Sequence, residues 1–263
     1  AVGAGIVKSG SCSVSIGTSG VVFAHADQPK TDPEGRAHTF CHAVPGKWHN
    51  MGVTLAAGGS LQWFKNALGQ PEIATAQLLH GDPYDLLVQE AQTAPAGSEG
   101  LCFLPYLTGE RTPHADPFAT STFVGITPRT SKGHMVRSVI EGVSYSLRDC
   151  LEIFRGMKVP VEEIRVTGGG AKNIFWNQML ADVFGQTTCS LAASEGAAYG
   201  VALLAAVGTK EFKSVEEACE ATVRTCNPVK PDAKRAAVYE KYYPLWQNLY
   251  RSLKKDFEKL AEA

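Results

Sequence analysis

No excess of either charge marks this chain. Across its 263 residues, 25 lysines and arginines stand against 26 aspartates and glutamates, a formal net charge of -1. That balance argues against a nucleic-acid surface, which would be basic, and it gives no reason to propose a membrane surface. Apolar runs long enough to span a bilayer are missing. The first residues, AVGAGIVK, lack the basic start and long apolar core of a signal peptide. No CxxC pair occurs. The seven cysteines, Cys12, Cys41, Cys102, Cys150, Cys189, Cys219 and Cys226, are odd in number and scattered singly. This predicts buried, reduced thiols in a cytoplasmic protein. There is no internal repeat, no low-complexity tract and no second domain boundary, so residues 1–263 read as one unit with a core of its own.

What the chain does have is a series of glycine-rich turns beside regular elements. Residues 163–167 alternate polar and apolar, as a strand does, and Gly168, Gly169 and Gly170 follow at once. Trp176, Met179, Leu180, Val183 and Phe184 then recur at helical spacing. Such a strand–turn–helix lets a ligand approach the backbone beside a helix N-terminus, with its free N–H groups and positive dipole end. One reading lays a nucleotide across the turn. The other is a tight connection with Asn173 as helix N-cap. The pattern is not the dinucleotide-binding GxGxxG. Earlier, residues 13–17 and 21–26 read as a hairpin around Thr18-Ser19-Gly20. Its N–H groups and hydroxyls could face phosphate oxygens, or it is simply a hairpin turn. A second small-residue entry, Gly58-Gly59-Ser60, opens a helix through Leu61, Phe64 and Leu68. There Gly58 and Gln62 touch a nucleotide, or Ser60 caps the helix and the glycines allow close packing.

The remaining segments read as scaffold. A second hairpin, 39–44 with 48–54, turns at Pro45-Gly46. His38, Cys41, His42 and His49 cluster on it without a recognised zinc spacing, so no metal is assigned. Two short helices fill 71–93, with Pro83 opening the second, and 101–104 is a strand. The polar loop 108–117, TGERTPHADP, carries Glu110, Arg111, His114 and Asp116. These form a catalytic cluster or, the reading favoured here, pin the loop by ion pairs and turn bonds. Ser131 caps a long helix reaching Phe154, with Val136, Val139, Ile140, Val143, Leu147 and Leu151 on one face. Residues 187–191 are a strand, Ser194-Glu195-Gly196 leads into an alanine-rich helix, and 215–223 is helical. Pro228 and Pro231 break the chain. An aromatic-striped helix closes it over 238–260.

Each glycine motif is weak singly, but their order is specific: GTSG, AAGGSLQW, TGGGAKN, SEGAAYG. That series resembles the C-terminal half of the FGGY carbohydrate kinases. Residues 121–141, STFVGITPRTSKGHMVRSVIE, resemble the family's second signature. LPYLTGERTPHADP and HTFCHAVPGKWH look most like its xylulose kinase branch. The resemblance covers essentially the whole chain. It implies an α/β, actin-like, ribonuclease-H-like ATPase domain, a mixed sheet flanked by helices, facing a second such domain across a cleft. It implies ATP, with Mg²⁺ carried by the nucleotide. It also implies a sugar bound mainly by an N-terminal domain, expected to be absent from this chain, and allows a homodimer. Residue by residue, it places Gly17 and Thr18 at the phosphates, and Gly58 and Gln62 on the nucleotide site. Gly168, Gly169 and Gly170 go to the adenosine part, and Asn173 beside the base. The family's catalytic Asp precedes a stretch that here is Ala1-Val2-Gly3-Ala4-Gly5. The resemblance therefore implies no catalytic base within the chain, and the chain alone is expected to be inactive. Other readings keep the fold with another acceptor, such as ribulose, gluconate or glycerol, or make the chain a non-catalytic nucleotide switch.

Overall fold

The computed structural model describes residues 1–192 and 196–262. Four strands open the chain: β1 (Gly10–Ile16), β2 (Gly20–Ala26), β3 (His38–Cys41) and β4 (Trp48–Thr54). Helices α1 (Gly58–Leu68), α2 (Gln70–Leu79) and α3 (Pro83–Thr93) follow. A small hairpin comes next, β5 (Cys102–Leu104) with β6 (Thr122–Val124), then the long helix α4 (Lys132–Gly156). β7 (Val161–Thr167), α5 (Ile174–Phe184), β8 (Thr188–Leu191), α6 (Gly196–Gly208), α7 (Val215–Thr222), β9 (Thr225–Val229) and α8 (Ala233–Glu262) complete it. Seven strands form one mixed sheet in the order β3-β4-β2-β1-β7-β8-β9. β1 pairs antiparallel with β2 and parallel with β7, so the turns after β1 and β7 emerge side by side at the same end of the strands.

Helix α4 covers one face of this sheet. Its apolar stripe, from Val136 to Phe154, is fully buried. It comes close because two strand positions lack a side chain. A Cβ on Gly52 would lie 2.7 Å from Cys150, and one on Gly20 would lie 2.8 Å from Leu147. Ser131 and His134 form a capping box at its start, as Ser131 was expected to do. Val22 and Ala24 face this helix. The alternate positions Phe23 and His25 face the other way, as strand periodicity requires. There His25, His42 and His49 gather around Phe23, with the His25 and His42 rings 5.2 Å apart.

Two expectations need correction. Pro228 does not break the chain but lies within β9. β9 is the edge of the sheet, where a missing N–H removes no inner ladder bond. The closing helix begins at Ala233 rather than near 238 and runs through Pro244, which has no N–H to give to the preceding turn. Its indole at Trp246 donates to the Phe103 carbonyl at 2.7 Å and anchors it to β5.

The buried titratable groups pull in opposite directions with pH. Burial lowers His42, His49 and His114 to about 4. Below the usual histidine value near 6.5 the unfolded chain therefore takes up more protons at these sites, and stability is lost as the pH falls. Burial raises Glu110 to about 7 and Asp149 to about 6. For these two the folded chain holds the extra protons, so stability rises as pH falls towards the ordinary carboxyl range. His25 and His38 are lowered by burial as well, so between pH 7 and 5 the two carboxyls offset only part of the stability that the histidines lose. In Glu110→Gln one compensating group is gone, and the melting temperature should fall more steeply over the same interval. Parallel pH profiles for the two proteins in calorimetric melts would contradict this.

Candidate functional site

The parallel pairing of β1 with β7 sets the site. It brings the β1–β2 turn beside the turn after β7, and the starts of α1 and α3 close the other sides. A cleft of about 440 Å³ results. Gly17, Thr18, Gly58, Gln62, Gly169, Gly170 and Asn173 all line it. Its floor is apolar, with Ile16, Leu61, Val88 and Trp176, and its rim carries Asp82, Tyr84, Asp85 and Lys172. The sequence alone did not single out these rim residues. The one signal was Pro83 opening a helix, with Asp82 as its N-cap, the carboxylate accepting from the Tyr84 amide at 2.8 Å.

The three consecutive glycines divide into two kinds. Gly168 does not line the cleft. Its φ is +86°, and a Cβ there would lie 2.5 Å from the Ile16 carbonyl oxygen. A Cβ on Gly170 would meet Ile16 Cγ2 at 2.6 Å. Both let the turn press onto the end of β1. Gly169 differs: its Cβ would meet nothing within 4 Å. It leaves space in the cleft rather than allowing a packing contact.

The start of α1 is likewise built by close approach. A Cβ on Gly58 would lie 2.6 Å from the Gly17 carbonyl oxygen. The Ala57 and Gly59 amides donate to the Thr18 carbonyl at 2.8 and 2.9 Å, and the Gly58 amide donates to that of Gly17 at 2.8 Å. These helix N-terminal donors are thus already used. Ser60 does not cap the helix, because its hydroxyl donates back to Ala56. The donors left over belong to the β1–β2 turn. The Thr18 hydroxyl and the Thr18 and Ser19 amides have no partner among the described residues. Asn173 does cap α5, with Oδ1 accepting from the Trp176 amide at 3.0 Å. It still faces the cleft, so the capping and cleft-lining readings hold together.

Loop 108–117 is pinned. The buried Glu110 accepts from the Leu55 amide at 3.0 Å, the Arg111 amide at 2.7 Å and the Thr54 hydroxyl at 2.6 Å. Asp116 accepts from the Tyr250 hydroxyl at 2.7 Å, and the His114 ring stacks on Tyr250 at 3.4 Å. No carboxylate of this loop is left to act as a base in the cleft. His38 is hydrogen-bonded with Arg111 and Cys41 is exposed. Among the described residues no three His, Cys, Asp or Glu side chains are placed to hold a metal ion, and no helix is long and apolar enough to cross a membrane. Ser194 and Glu195 of the SEGAAYG motif lie outside the described residues.

Residues 12–209, which include every cleft glycine named above, match the profile "FGGY family of carbohydrate kinases, C-terminal domain". The chain belongs to the FGGY family of carbohydrate kinases. Among FGGY relatives, the xylulose kinase of Bacillus subtilis is 37% identical over 254 residues, 97% of this chain and 49% of the relative. The gluconokinase of Bacillus licheniformis is 34% identical over 262 residues, 99% of this chain and 50% of the relative. The chain spans about half the length of the curated relatives it matches. The structure of a ligand-bound xylulose kinase from Lactobacillus acidophilus superimposes with a TM-score of 0.87 at 30% identity, covering 98% of this chain and 50% of that one. The mixed sheet flanked by helices is thus the actin-like ATPase fold of the FGGY kinases.

Proposed function

We propose that this chain is the ATP-binding half, residues 1–263, of a kinase that transfers the γ-phosphoryl group of ATP to D-xylulose, giving D-xylulose 5-phosphate. The observation that carries the nucleotide reading is convergence. Gly17, Thr18, Gly58, Gln62, Gly169, Gly170 and Asn173, spread over three separate turns, line one cleft. The unpartnered hydroxyl and amides of Thr18 and Ser19 suit phosphate oxygens. The open space over Gly169, backed by Trp176, suits the adenosine part, with Asn173 beside the base and Gln62 between. Gly168 supports this surface from below. Similarity to xylulose kinases supports the acceptor, and the gluconokinase relatives make gluconate the first alternative.

In the transfer, an acceptor hydroxyl oxygen forms a bond to the γ-phosphorus. The bond from that phosphorus to the β,γ-bridging oxygen breaks, and its electron pair leaves with ADP. The hydroxyl proton passes to a carboxylate base, which we place in the part of the relatives that this chain does not span. Mg²⁺ arriving with the nucleotide would supply charge neutralisation at the phosphates. The residues of this chain hold and orient the nucleotide.

Calorimetric titration with MgADP and MgATP tests the reading. Weak, saturable binding is expected, because in these samples only the residues that line this cleft hold the nucleotide. In the same samples D-xylulose should provoke no ADP release. The absence of heat and of spectral change at millimolar nucleotide would refute the site. Robust sugar-dependent turnover by this chain alone would refute the placement of the base.

A further inference from the structure

A cavity of about 270 Å³ shares no lining residue with the cleft described above. Asp149 and Glu152 line it from the second half of α4, Gln247 and Arg251 from α8, and Arg36 and His114 from two loops. Most of the charge on this lining is already matched. Arg36 is held by Asp32 through two bonds at 2.9 Å and by Glu34 at 3.2 Å. Glu152 pairs with Arg148 at 3.3 Å and with Arg155 at 2.8 Å. His114 adds no charge at neutral pH, because burial lowers it to about 4. Two charges are left over. Asp149 is 4% exposed, and its Oδ1 accepts from the Tyr243 hydroxyl at 2.5 Å and the Gln247 amide at 2.6 Å. Both donors are neutral, and the adjacent Arg148 is turned to Glu152 and Glu240. The second oxygen, Oδ2, accepts no bond among the described residues, yet it is not sealed from solvent. Since Asp149 lines the cavity, that oxygen reaches solvent there. Arg251, one turn along α8 from Gln247, is exposed and makes no ion pair among the described residues.

We propose that this cavity binds a small zwitterion, with the ligand's ammonium group on the Asp149 carboxylate and its carboxylate or phosphate group on the Arg251 guanidinium. A buried carboxylate held by neutral donors alone is costly, and an ammonium supplies the counter-charge it lacks. The Gln247 carbonyl oxygen, which accepts no bond among the described residues, can take a second ammonium proton. At the other end a guanidinium offers two parallel N–H bonds to a carboxylate or phosphate. A hydroxylated anion would satisfy Arg251 but leave Asp149 without a counter-charge. The cavity's size also favours a ligand of few atoms, since sites for drug-sized molecules start at roughly 300 Å³. None of this depends on the nucleotide reading of the other cleft.

The test titrates the 263-residue chain, followed by ¹H–¹⁵N spectra, with glycine, β-alanine, 4-aminobutanoate and phosphoethanolamine. The first three vary the separation of the two charges, and the fourth replaces the carboxylate with a phosphate. At least one should bind saturably and move the Gln247 side-chain amide signal. Acetate, ethylammonium and gluconate should each bind at least about tenfold more weakly than that zwitterion, the usual worth of a hydrogen bond to a charged group. Arg251→Gln, at an exposed position, should fold like the parent and weaken the zwitterion by a similar factor. Asp149→Asn keeps an acceptor for Tyr243 and should weaken it as well. Thermal melts check that both variants fold, and Arg251→Gln decides if Asp149→Asn does not. Four titrations that leave Gln247 unmoved, gluconate binding as tightly as the best zwitterion, or full affinity in Arg251→Gln would overturn the proposal.

Discussion

Gly169→Val should fold like the parent and lose nucleotide affinity by on the order of a hundredfold, about 2.7 kcal/mol. The argument is one of space. A Cβ at this position meets no heavy atom within 4 Å, so the branched side chain extends into the cleft without disturbing the protein. Its φ is not in the left-handed region, so no backbone strain opposes the change. The volume it fills is the one proposed for adenosine. Neighbouring glycines should behave in the opposite way. Gly168→Ala puts a side chain on a residue with φ of +86° and drives it against the Ile16 carbonyl. It should cost roughly 1–3 kcal/mol of stability, the usual range for a strained backbone position, and reduce binding only as far as the turn is distorted. Gly170→Ala has only the Ile16 side chain to displace and should fall between the two. Thermal melts and MgADP titrations on the three variants separate the roles. A folded Gly169→Val that binds as tightly as the parent would move the nucleotide out of this cleft.

That division among three consecutive glycines was not legible in the sequence, and the reason is physical. The string TGGGAKN shows that a backbone position must stay bare, but not what keeps it bare. For Gly168 and Gly170 the cause is Ile16, some 150 residues earlier and brought alongside by the parallel β1–β7 pairing. Local signals were read well where the cause is local. The two hairpins follow from period-two alternation around Ser19-Gly20 and Pro45-Gly46. α3 follows from Pro83, α4 from Ser131, and α5 from Asn173. Non-local features escaped. The rim at Asp82, Tyr84 and Asp85 depends on where α3 docks, and Pro228 could be recognised as a strand residue only once β9 was seen to be an edge. The resemblance supplied the gathering of the glycine turns into one cleft, because no pattern of spacing contains it.

Glu141→Ala is expected to destabilise the fold by about 3–5 kcal/mol, the usual cost of stranding one member of a buried ion pair. Glu141 and Arg137 lie one turn apart on α4, with side chains 3% and 6% exposed and Nε–Oε1 at 2.8 Å. Arg137 also donates to the Ala94 carbonyl at the end of α3, and to the Tyr239 hydroxyl on α8 at 2.8 Å. The carboxylate accepts from the Gly97 amide and the Ser98 hydroxyl, each at 2.8 Å. The pair therefore ties α4 to α8 and to the connection between α3 and β5, where Ser98 and Glu99 sit at φ of 47° and 51°. Removing the carboxylate leaves a guanidinium buried without a counter-charge and frees a strained connection at the same time. Glu141→Gln, which keeps an acceptor for Gly97 but not the charge, should cost less. The double substitution Arg137→Met with Glu141→Leu should recover part of the loss, because it removes the stranded charge. Recovery should be incomplete, since the Gly97 amide and the Ala94 carbonyl lose their partners. Urea unfolding of the four proteins gives the comparison, and a loss below about 1 kcal/mol for Glu141→Ala, the level of an exposed pair, would show that the network carries little of the stability of α4.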